Sequence, residues 1–232
     1  MARALAEARV EAIYSYAGRT AAPVAQPIPV RTGGFGGAEG LARWLAAEGI
    51  TRVIDATHPF AAGMSANAVA ACKALGLPLV ALERPAWTPV PGDRWTRVPD
   101  LPAAVAALPD RPARVFLAIG RQHLDAFADK PQHRYLLRLV DPPQGLLLPD
   151  ATVIVARGPF DEAGDTALLR EHAITQVVAK NAGGTGAVAK VHAARALGLP
   201  VVMVDRPAIP PRPVAATVQA VMDWLHHADL GV

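Results

Sequence analysis

Residues 55–58, Asp-Ala-Thr-His, place a carboxylate, a hydroxyl and an imidazole within four positions of one another, just before Pro59. Such a set can orient a ligand by hydrogen bonds, and the imidazole can hold or move a proton near neutral pH. A histidine that only caps or packs is the alternative. A second polar group is Lys180-Asn181, followed by Ala-Gly-Gly-Thr-Gly over 182–186. A lysine beside glycines can meet an anion with its ammonium and with closely approached backbone N–H groups. The third is Gly33-Gly34-Phe35-Gly36-Gly37. So many glycines cost conformational entropy, so backbone approach to a phosphate or a flat ring is their natural use. A surface loop is the alternative, and the run does not match the six-residue dinucleotide fingerprint.

Each group sits where an apolar run yields to a helical pattern. Residues 51–56 are rich in β-branched side chains and read as a buried strand, and 61–75 form an alanine-rich helical stretch stopped by Gly76. Residues 10–16 form another strand-like run, closed by Ala17-Gly18-Arg19-Thr20. An arginine there suits the 2′-phosphate of a dinucleotide, where an acid would suit a bare hydroxyl; a solvated turn residue is the alternative. Ligands of open α/β sheets collect at the carboxyl ends of strands, so Asp55, Thr57, His58 and Lys180 stand in suitable places.

The chain also carries an internal echo. Residues 74–86 and 196–208 are identical at nine of thirteen positions, each running Ala-Leu-Gly-Leu-Pro, a strand, an acid and Arg-Pro-Ala. Similar β-α-β units in both halves predict an α/β protein of two Rossmann-like, doubly wound parallel-sheet domains facing a cleft. The predicted boundary falls at 90/91, within the Pro- and Trp-rich stretch 87–99, and a closing helix is expected over 214–227.

With 232 residues, 52% hydrophobic and 19% charged, the chain has the composition of a soluble globular protein. A net charge of +3 with no basic run argues against a nucleic-acid partner. One cysteine, Cys72, excludes an intramolecular disulfide, and the absence of an apolar run of about 18 residues points to the cytoplasm rather than a membrane. No P-loop, no Gly-x-Ser-x-Gly and no Tyr-x-x-x-Lys occurs, so kinase, hydrolase and short-chain dehydrogenase chemistry lose support. No histidine spacing indicates a metal, since His226-His227 reads as a solvated helix end.

The ordered set Ser15–Thr20, Gly33–Gly37, Asp55-Ala56-Thr57-His58-Pro59-Phe60-Ala61, Glu83-Arg84-Pro85-Ala86-Trp87, Gly120-Arg121-Gln122, Arg157-Gly158-Pro159-Phe160 and Lys180–Gly184 resembles the precorrin-6A reductase family of cobalamin biosynthesis over essentially the whole chain. The resemblance implies NADPH-dependent reduction of one double bond of the precorrin-6A macrocycle to give precorrin-6B. The family's cobalt-containing counterpart and a non-catalytic nucleotide- or tetrapyrrole-binding module are the alternatives. It further implies transient contacts with other enzymes of the pathway. Ser15, Gly18, Arg19, Thr20, Gly33, Gly34, Phe35, Gly36 and Thr57 are then expected at the cofactor. Arg84, Trp87, Arg121, Arg138, Arg157, Asn181, Gly183 and Gly184 are expected at the substrate, whose many carboxylates suit arginines. His58 and Lys180 are the expected orienting or proton-handling residues. Members of the family begin with a strand and a glycine-rich turn, so the resemblance also places such a strand upstream of Met1.

Overall fold

The structure is a computed structural model describing residues 1–18, 23–143, 145 and 148–229. The chain divides into two compact units, Met1–Pro85 with Ala208–Val232, and Ala86–Pro207.

The second unit is built on a six-stranded parallel sheet. Its strands are β5 (Arg94–Val98), β6 (Arg114–Ala118), β7 (Arg134–Leu139), β8 (Ala151–Val155), β9 (Gln176–Lys180) and β10 (Pro200–Val204), in the order β5-β10-β9-β6-β7-β8. The central strands read as continuous apolar runs because both faces are covered: Val115, Phe116, Leu117, Val177, Val178 and Ala179 are all buried. On one face Phe116, Val177, Ala179 and Met203 pack with residues of α5 (Glu162–Glu171) and α6 (Ala189–Ala196). Helix α4 (Leu101–Ala106) packs against β5 and β10 and against a 3-10 helix, Leu124–Asp129.

In the first unit, β1 (Tyr14–Tyr16) pairs in parallel with β2 (Val30–Thr32). A separate three-stranded parallel sheet has the order β11-β4-β3, from β3 (Val53–Asp55), β4 (Leu79–Leu82) and β11 (Val214–Ala215). Among the described residues β1 and β3 each have a strand partner on one edge only. Helices α2 (Gly37–Ala47) and α3 (Ala62–Leu75) bury Leu41, Leu45, Ala68, Ala71 and Cys72 against Val53 and Leu79. On the other face, α1 (Ala2–Glu7) and α7 (Val218–Asp229) meet Ile54 through Leu5, Met222 and Leu225.

Three expectations change. The stretch 87–99 is not all connection, since β5 adds to the sheet edge beside β10, its exposed face explaining its weak apolar signal. The closing helix begins at Val218, because Val214 and Ala215 first pair with β4. That pairing also draws residues 208–232 into the first unit, where the sequence boundary at 90/91 assigned them to the second. The echo survives as structure: both copies are parallel β-α-β units whose helices stop at a left-handed glycine, Gly76 (φ 65°) and Gly198 (φ 63°). Among the described residues, no helix is long and apolar enough to cross a membrane.

Candidate active site

In the first unit, β3 ends in Asp55, which is 6% exposed. Its Oδ1 accepts the backbone N–H of Thr57 (3.2 Å) and the Thr57 hydroxyl (2.6 Å), an Asx-type turn. The Thr57 hydroxyl also lies 3.2 Å from that of Ser65, buried in α3. His58, on the exposed side of the turn, takes the Phe60 backbone N–H on its Nδ1 at 3.2 Å. The neutral ring therefore carries its proton on Nε2, which makes that nitrogen a donor.

Four of the predicted cofactor residues, Ser15, Gly33, Gly34 and Phe35, gather around a side chain that the sequence reading passed over, Arg31. Its Nη1 donates to the Ser15 hydroxyl and to the Gly33 carbonyl, each at 2.9 Å, and its Nη2 donates to the Gly34 carbonyl at 3.2 Å. The guanidinium stacks 3.9 Å from the centre of the Phe35 ring. Its signal in the sequence was a charged residue two positions before the glycines. Gly18, in the left-handed region at φ 74°, lies beside Thr32 and Gly33. Gly40 lets α2 approach the loop, because a Cβ there would fall 1.7 Å from the Phe35 carbonyl oxygen. Arg19 and Thr20 lie outside the described residues.

In the second unit, β9 delivers Lys180 at its carboxyl end, partly buried, and burial lowers its ammonium pKa. Asn181 and Trp87, both expected at the substrate, instead clamp each other. The Trp87 backbone N–H donates to Asn181 Oδ1 (2.8 Å), Asn181 Nδ2 donates to the Trp87 carbonyl (2.9 Å), and the indole Nε1 donates to the Gly184 carbonyl (2.7 Å). Asn181 is only 5% exposed, so its amide is used up in fixing the chain. Arg206, another residue the reading passed over, donates to the carbonyls of Asn181 (3.0 Å) and Ala182 (3.1 Å). Gly183 is buried and Gly184 partly so, both in the left-handed region.

Arg138 also departs from expectation. Its guanidinium forms a buried two-pronged ion pair with Asp165 and lies 3.7 Å from the Phe160 ring centre, so it is committed within the unit. Arg84 in the first unit, and Arg121 and Arg157 in the second, stand exposed just beyond the carboxyl ends of β4, β6 and β8.

Lys190 entered no sequence argument, yet it is 5% exposed, donates to the Ala187 carbonyl and lies 5.0 Å from the Trp87 ring centre. Burial, then the charge of Arg138, push its pKa down to about 8, with Asp165 opposing. Below that pH the ammonium is charged in folded and unfolded chains alike, and the full penalty of burying it is present. Between about 8 and the ordinary lysine value of 10.5 the folded chain releases the proton first, so stability rises with pH. Lys190→Met is therefore expected to be the more stable protein at pH 7, by on the order of 2–3 kcal/mol, with the margin shrinking toward pH 10. Urea unfolding of both proteins across this range checks it, and a margin independent of pH would refute it.

The family model described as precorrin-6x reductase CbiJ/CobK matches residues 1–226. The chain is 65% identical to "Precorrin-6A reductase" of Rhodobacter capsulatus over 97% of its own length and 90% of that protein's. It is 30% identical to "Cobalt-precorrin-6A reductase" of Priestia megaterium, over 81% of this chain and 77% of that one. A solved structure titled "CobK precorrin-6A reductase" superposes with a TM-score of 0.93 at 63% identity, covering 97% of this chain and 90% of that chain. With its parallel-sheet units and its match along nearly the whole length, the chain belongs to the precorrin-6x reductase CbiJ/CobK family.

Proposed function

We propose that the chain catalyses the NADPH-dependent reduction of one double bond of metal-free precorrin-6A, giving precorrin-6B, in the cytoplasmic route to cobalamin. The observation that carries this reading is the much higher identity to the reductase named for the metal-free substrate than to those named for the cobalt form.

The residues at the strand ends of the first unit fit a phosphorylated dinucleotide. An exposed hydroxyl on Ser15, the Arg31 guanidinium and the glycine backbone of 33–37 offer donors, cation and close approach at the carboxyl end of parallel strands. When bound, NADPH supplies a hydride to one carbon of the macrocycle, and the neighbouring carbon must receive a proton.

His58 suits the handling of that proton. Its Nδ1 accepts the Phe60 N–H, which leaves Nε2 to carry the proton of the neutral ring, in a turn braced by Asp55 and Thr57. Lys180, with an ammonium pKa lowered by burial, is the second candidate, since such a group releases its proton more readily. Arg84, Arg121 and Arg157, exposed at strand ends of their own units, suit the carboxylates of the ring, which guanidinium forks hold bidentately.

The test is direct: purified protein with precorrin-6A and NADPH should lose nicotinamide absorbance only when both are present. The product should gain two mass units per ring, one hydride and one proton. Turnover of the cobalt form but not the metal-free form would overturn the substrate assignment. Binding of NADPH without turnover of either would overturn the enzymatic reading.

A further inference from the structure

We infer that Arg212 is a positioning residue for the turn that carries Thr57 and His58, and that it acts through Asp55. This rests on the reading that the turn serves the reduction. Arg212 comes from the segment that returns to the first unit, more than 120 positions from the groups it meets. Its side chain is 9% exposed. Nη2 donates to Glu83 Oε2 at 2.6 Å, while Nε faces Asp55 Oδ2 at 3.6 Å.

The two ends of that longer contact share a property. Asp55 Oδ2 and Arg212 Nε are both buried and, among the described residues, both lack a hydrogen-bond partner. Oδ1 of the same carboxylate is fully engaged with Thr57. A carboxylate buried this deeply needs a positive charge close by, and losing its partner is costly. Arg212 supplies that charge at Oδ2 while Thr57 occupies Oδ1, so the two together set the direction in which the carboxylate plane lies. The plane in turn fixes the two acceptor contacts that shape residues 55–58. Arg212 is itself well anchored: prolines stand at 210, 211 and 213 and stiffen the backbone, and the Pro213 carbonyl accepts the Ala81 N–H at 2.8 Å.

A network of this kind, Arg212 to Asp55 to Thr57, should govern rate rather than ligand affinity, because small misplacement of an acid or base costs far more in kcat than in binding. In the full chain, Arg212→Met is expected to lower kcat about 10- to 100-fold, with KM for precorrin-6A and NADPH changing less than about 3-fold. Arg212→Lys, which keeps charge but not the fork, should recover part of the loss. In an Asp55→Asn background, adding Arg212→Met should cost less than about 2-fold more, because the two residues act as one unit. Hydrogen exchange at the Thr57 amide should quicken in Arg212→Lys while the amides of β3 and β4 stay protected.

An unchanged kcat in Arg212→Met, or losses that multiply with Asp55→Asn, would overturn the inference. If Arg212→Met does not fold, wild-type kcat and wild-type Thr57 exchange in Arg212→Lys would overturn it equally. His58→Ala separates the two levels: if it leaves turnover intact, the reading of the turn fails. If His58→Ala abolishes turnover while Arg212→Met does not lower it, only the role of Arg212 fails.

Discussion

Replacing Asp165 with alanine is expected to destabilise the second unit by about 3–5 kcal/mol, the usual cost of leaving one member of a buried ion pair behind. The side chains of Arg138 and Asp165 are 8% and 4% exposed. Arg138 lies between the rings of Phe116 and Phe160, so a guanidinium stripped of its carboxylate has no water to turn to. Asp165 sits in the first turn of α5 and Arg138 on β7, which makes the pair a cross-link between helix and sheet. Urea unfolding followed by tryptophan fluorescence checks this. Trp87 and Trp95 report on the second unit and Trp44 and Trp224 on the first, and hydrogen exchange assigns the loss. Replacing both members by apolar residues, Arg138→Met with Asp165→Leu, should recover most of the stability, because the desolvation cost disappears with the charges. A loss below about 1 kcal/mol in Asp165→Ala would place the pair among ordinary surface ion pairs and refute its buried role.

His58→Ala is expected to lower kcat about 10²- to 10⁴-fold, the range spanned by a positioned acid or base. His58→Gln keeps a hydrogen-bond donor near Nε2 but cannot cycle a proton, so it should stay near the alanine value. KM for NADPH should barely move. Lys180→Met tests the alternative donor. Because burial lowers the Lys180 pKa, a rate that depends on its protonated form should fall with rising pH at a lower pH than an exposed lysine would give, and Lys180→Met should erase that limb. Steady-state rates across pH for the three variants decide between the residues. Less than about 3-fold change in each would leave proton delivery to solvent water.

Much of this protein is written in local pattern. The alternation of short β-branched runs with alanine-rich helices reflects strands covered on both faces, and such strands are legible because burial leaves no polar alternation to confuse them. The turn at 55–58 and the glycine-rich turn after Lys180 were recognisable for the same reason, since each marks the abrupt end of an apolar run.

What the pattern could not supply was partnership. Arg138 looks in sequence like the exposed arginines at 84, 121 and 157, and only the packing of α5 on the sheet brings Asp165 against it. Asn181 looks like a ligand group, but its amide is bonded to the backbone of Trp87, 94 positions away. Nothing in the sequence marks what Arg31, Arg206 and Arg212 hold, because their partners are backbone carbonyls and distant carboxylates. The strand at 214–215 escaped for the same reason: two residues carry no period, and their extended form follows from the edge that β4 offers. Local chain chemistry thus determined the strands, helices and turns of the protein and the places where chemistry can sit. Only the tertiary structure decided which charges stand exposed and which are held by other parts of the chain, because burial and pairing depend on residues far apart in sequence.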